Sequence, residues 1–78
     1  MKIEFEIKSK GTMLVKYGIK SATIQGELVF EPPTFYADSN SLKNWNPPFE
    51  NEKIENYQKT EIMDFISNHS FHTKIIFE

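Results

Sequence analysis

Ile3-Glu4-Phe5-Glu6-Ile7 alternates apolar and acidic side chains without a break, and that period of two decides the fold class. Successive side chains on a strand point to opposite faces, so Ile3, Phe5 and Ile7 share one face while Lys2, Glu4, Glu6 and Lys8 share the other. Such a strand has one dry and one wet side. The same period extends outward from it. Ser9-Lys10-Gly11 is a turn signal, and Thr12 to Tyr17 reads as a second strand with Met13, Val15 and Tyr17 on one face. Gly18 marks the next turn. From Ser21 to Glu31 the alternation places Ala22, Ile24, Gly26, Leu28 and Phe30 on one side, as one long strand or as two joined at Gly26, where a bulge or bend is expected. Pro32-Pro33 ends it, because neither proline can donate to a ladder.

Thr34 to Ala37 reads as a short fourth strand, and Asp38-Ser39-Asn40-Ser41 as a turn or an irregular helical start. Residues 38–51 are the only long stretch without a period, and they hold the single tryptophan, Trp45, just before Asn46-Pro47-Pro48-Phe49. Beyond them the period changes. Ile54, Gln58, Ile62, Phe65, Ile66 and His69 fall on one helical stripe, whereas Glu55, Lys59 and Glu61 lie off it. Asn51 and Asn56 are both good N-caps, which places the first turn between them, with Glu50, Glu52 and Glu55 favourably set against the positive end of the helix dipole. Thr73 to Glu78 closes the chain as a strand with apolar side chains on both faces, a pattern that predicts an interior place in the sheet. The expected fold is α+β, a mostly antiparallel sheet of four to five strands with one helix packed on one face, in the order β-β-β-β-α-β.

The chain has 78 residues, no cysteine and a formal charge of −2, which fits a single domain over residues 1–78. A domain this small buries only about 60% of its unfolded surface, so its large apolar side chains are committed to the core and little remains to wall a deep pocket. The absence of cysteine excludes disulfide frameworks, thiolate nucleophiles and cysteine metal sites. All nine basic residues are lysines. Without arginine the commonest bidentate contact to guanine and phosphate is missing, and nucleic acid is not an expected partner. Charge is uneven along the chain: residues 1–20 carry a surplus of three lysines and residues 21–70 a surplus of five acids. An acidic surface keeps a small protein dispersed and also attracts a basic partner. No apolar run is long enough for a signal peptide or a membrane span, so the expected location is cytoplasmic and no membrane association is expected.

Candidate chemistry is sparse. His69 and His72 are three apart with Asp64 nearby, short of the three or four fixed ligands of a zinc site, and the helix is expected to end between the histidines. A catalytic carboxylate pair from Glu50, Glu52, Glu55, Glu61 and Asp64 would need a partly dry concavity to separate the two acidities. Neither a serine–histidine arrangement nor a glycine-rich phosphate loop is present. The expectation is a protein without enzymatic activity, cofactor or metal. Trp45 with Pro47 and Pro48 is the most distinctive local feature: the indole either anchors a binding surface or folds back to close the small core.

The segment Phe35-Tyr36, Leu42, Trp45, Pro47-Pro48, then Ile54, Lys59, Ile62 and Ile66, and finally Lys74-Ile75-Ile76-Phe77-Glu78, resembles a family of small immunity proteins of bacterial polymorphic toxin systems. Ile24, Gly26, Glu27 and Leu28 resemble the strand that precedes the aromatic one in that family. Glu31-Pro32-Pro33 and Glu55 depart from its pattern. The resemblance implies an inhibitor that binds a cognate toxin, whose active-site cleft is basic in nuclease toxins, and so protects the producing cell; it implies a monomer or weak dimer. The surface expected to meet the toxin comprises Asp38, Trp45, Phe49, Glu50, Glu52 and Glu55, with Trp45 or Phe49 as apolar anchor and the acids in place of phosphate. The alternative is a small structural or regulatory adaptor acting through self-association or subunit binding.

Overall fold

A computed structural model describes residues 2–78. Its strands are β1 (Ile3–Ser9), β2 (Thr12–Tyr17), β3 (Lys20–Val29), β4 (Thr34–Ala37) and β5 (Lys74–Phe77), with one helix, α1 (Asn56–His69), and a short 3-10 turn over Ser39–Ser41. The five strands form one sheet in chain order. β1 to β4 pair antiparallel, and β5 lies parallel to β4. The fold is α+β with the expected element order. Ile3, Met13, Val15, Tyr17, Ala22 and Ile24 line the inner face, where Ile62 and Ile66 of α1 complete the core. The helix packs on both β5 and β1, so it spans the open side of the curled sheet.

β3 is a single strand that changes partners at Gly26. Lys20 to Gln25 pair with β2, and Gly26 to Val29 pair with β4. The inner side of Gly26 is filled by the ring of Phe35 and the carbonyl oxygen of Tyr36, so no side chain fits there. Because β4 ends at Ala37, the following loop takes over the free side of β3. Asp38 N donates to Gln25 O at 2.8 Å, and Asn46 N donates to Ser21 O at 2.7 Å. A four-residue β4 is thus what lays residues 38–46 along the sheet.

Two expectations need correction. β5 is an edge strand and not an interior one. β2 and β3 already have neighbours on both sides, and the long connection through α1 delivers the chain to the outer side of β4, as a parallel pairing requires. Its apolar pattern is satisfied by packing Ile75 and Phe77 against the core, while Ile76 stays half-buried. The helix begins at the later of the two asparagines, but neither of them is its cap. Glu55 is the N-cap, and its backbone N–H donates to Gln58 Oε1 at 2.9 Å, so a glutamine one turn inside replaces an asparagine cap. The peptide bonds Glu31–Pro32 and Pro47–Pro48 are cis.

Candidate protein-binding face

The face is built where the β2–β3 hairpin, the loop after β4 and the first turns of α1 meet. The hairpin turns through Gly18-Ile19, and Gly18 has φ 63°, the sign that a leading glycine supplies in a two-residue hairpin. Ile19 sits at the tip and is 87% exposed. Just before it, the hydroxyl of Tyr17 donates to Glu61 Oε1 at 2.6 Å and ties the hairpin to the helix. That hydrogen bond, followed by burial and the Glu61 charge, pushes the Tyr17 hydroxyl pKa up to about 12. One helical turn before Glu61, Tyr57 is 68% exposed, so it lies at the same end of the molecule as the hairpin tip.

Residues 43–54 are ordered by their own ladder. Asn44 pairs with Lys53, Trp45 N donates to Glu52 O at 3.2 Å, and Ile54 N donates to Lys43 O at 2.8 Å. The tip turns twice, through bonds from Phe49 N to Asn46 O and from Glu52 N to Phe49 O, each 2.9 Å. Asn46 fastens the loop to β3, its Nδ2 donating to Ser21 Oγ and Thr23 Oγ1 at 3.2 Å. Trp45 is 2% exposed and packs on the Tyr17 ring, with centroids 5.3 Å apart. The indole therefore closes the core and supports the face from beneath. Phe49 is half-buried beside it and keeps part of its ring at the surface.

The acids divide into two groups. Glu50, Glu52 and Glu55 are exposed around Phe49 and the start of α1. The ammonium of Lys20 lies 2.5 Å from Glu52 Oε1, 5.3 Å from the Phe49 ring and 5.7 Å from the Trp45 ring, so Glu52 already has a cation. Among the described residues no cation lies within ion-pair distance of Glu50 or Glu55. Asp38 stands apart. It caps the 3-10 turn by accepting from Asn40 N at 3.0 Å, and it sits level with Gln25, about 13 Å along β3 from Ser21.

Ile19 and Tyr57 were not singled out in the sequence. The signal exists: an apolar residue beside a turn glycine has no interior to face, and Tyr57 lies well off the stripe that buries Ile62 and Ile66. Elsewhere, α1 ends at His69, so His72 does not continue its helical spacing. Among the described residues no group of three or more histidine, aspartate or glutamate side chains is placed to hold a metal ion, and no helix is long and apolar enough to cross a membrane.

Fold and face together describe a small α+β domain with an apolar and acidic end carried on the hairpin, the loop and the start of the helix. The chain belongs to the family described as Immunity protein 74, whose family model matches residues 2–78. No curated protein and no solved structure matches it.

Proposed function

We propose that this chain is a non-enzymatic immunity protein that works in the cytoplasm, binding a cognate toxin domain of a bacterial polymorphic toxin system and so protecting the producing cell. Family membership over residues 2–78 is the observation that carries this reading. The contact surface is the end formed by Ile19, Phe49 and Tyr57, with Glu50 and Glu55 beside them and Asp38 as an outlying acid. Ile19 and Tyr57 supply exposed apolar anchors. Unpaired acids around them steer a basic cleft into register and discriminate against acidic surfaces. Trp45 and the Lys20–Glu52 pair hold the loop and do not themselves form the contact.

Calorimetric titration against a purified cognate toxin domain tests this. Ile19→Asp and Tyr57→Ser should each cost about 2 kcal/mol, roughly 30-fold in Kd, and Glu50→Lys should weaken binding chiefly at low salt. All three positions are exposed, so folding stability should change by no more than about 0.5 kcal/mol. Unchanged affinity in all three variants eliminates this face; a stoichiometric toxin that keeps full activity when bound eliminates neutralisation.

A further inference from the structure

β1 and β5 are the two edges of the sheet. Gly18 N donates to Lys2 O at 3.1 Å, which fixes the phase of the β1–β2 ladder. Lys2, Glu4 and Glu6 turn their backbone groups toward β2, so Ile3, Phe5 and Ile7 turn theirs to the open edge. Between that edge and Ile75 of β5 lies an open groove of about 640 Å³, walled at the end of α1 by Phe65, His69 and Phe71. Phe65 meets Phe5 edge to face at 6.2 Å and stacks flat on His69 at 4.0 Å. Phe71 is 81% exposed beside them.

An added strand of four to five residues rises about 13–17 Å at 3.3 Å per residue. That is close to the length of the free edge from Ile3 to Ile7. Charge then selects the occupant. The outward side chains of β1 run Lys2, Glu4, Glu6, Lys8, symmetric about Phe5, with Lys2–Glu4 and Lys8–Glu6 each paired at 3.2 Å; both pairs are well exposed, so they are weak and a partner's ammonium group can replace either lysine. A second copy paired antiparallel along the whole strand would set lysine against lysine and glutamate against glutamate, and like charges directly opposed destabilise such a pair. A strand with two basic side chains at its centre and acids outside meets the complementary pattern at every position.

We propose that the β1 edge and its groove are a second protein-binding surface, which accepts an extended segment of a protein partner as an added strand with alternating basic and apolar side chains. Main-chain hydrogen bonds to Ile3, Phe5 and Ile7 give the affinity, and Glu4 and Glu6 give the selectivity. The surface lies about 18 Å along α1 from Tyr57 and is independent of the toxin face.

The test uses the full chain and two capped heptapeptides, Asp-Val-Lys-Val-Lys-Val-Asp and its charge-reversed form Lys-Val-Glu-Val-Glu-Val-Lys, with amide exchange read by NMR. At about ten times Kd, the first peptide should protect the Ile3, Phe5 and Ile7 amides roughly tenfold, and the second should not. In the Lys2→Glu/Glu4→Lys/Glu6→Lys/Lys8→Glu variant, which reverses the whole outward charge pattern, the preference should invert, a result that a purely structural edge would not give. Protection by neither peptide, equal protection by both, or protection confined to residues 43–54 overturns the proposal. So does protection of these amides in the free protein that grows with its concentration, which would mean that a second copy covers the edge.

Discussion

Replacing Gly26 by alanine adds one methyl group at the point where β3 exchanges β2 for β4. The new Cβ would fall 2.5 Å from Phe35 Cε2 and 2.7 Å from Phe35 Cζ, and closer still to the Tyr36 carbonyl oxygen. The ring belongs to a fully buried side chain, and the oxygen belongs to the partner strand, so neither neighbour can swing aside. Overpacking of this kind costs about 1–3 kcal/mol, and rigid neighbours place Gly26→Ala near 3. A domain of this length has only about 4–12 kcal/mol of stability, so the midpoint of thermal unfolding should drop by roughly 12–24 °C. Gly11→Ala is the matched control. Its Cβ would meet nothing nearer than Gly26 O at 3.6 Å, an ordinary contact, and a change within about 0.5 kcal/mol is expected. Urea and thermal unfolding followed by circular dichroism measure both. A loss below about 1 kcal/mol at Gly26, or equal losses at both glycines, would refute the close-approach argument.

Trp45→Ala removes a core side chain, and should lower stability by about 3–5 kcal/mol in urea unfolding, a loss too large for a surface anchor. Tyr17 gives a pH dependence of definite sign. Its hydroxyl ionises near 10 in the unfolded chain and about 12 in the folded one, so the unfolded state loses the proton first. The stabilisation is therefore complete below about pH 10 and is lost as the pH rises toward 12, by up to about 1.4 kcal/mol per unit. Stability of wild type minus Tyr17→Phe, measured across that range, should fall with this slope; a flat difference would mean that the Tyr17–Glu61 bond does not persist in solution.

The strands were legible because the period of two is unbroken over Ile3 to Ile7 and, Leu14 apart, holds over Thr12 to Tyr17, where the expected inner face is the observed one. The position of β5 was not legible. Ile75, Ile76 and Phe77 state how apolar the strand is, but its neighbours follow from which strands already have partners, a property of the whole topology. The identity of the helix cap was missed because Gln58 caps the Glu55 backbone from inside the helix, whereas single-residue preferences favour the asparagines. In the candidate face, loop acids were found by composition, yet the burial of Trp45 depends on Tyr17, which is 28 positions earlier and reaches it only through the fold. The fastening of Asn46 to Ser21 and Thr23 has the same origin.

Hydrogen exchange of the chain in complex with its toxin domain gives the most direct view of which end of the molecule meets the partner. Slowed exchange should concentrate at residues 18–20, 46–52 and 55–58, with the remainder of the sheet as in the free protein. A footprint that leaves these segments unchanged and falls elsewhere would contradict the assignment of the hairpin, loop and helix start as the immunity surface.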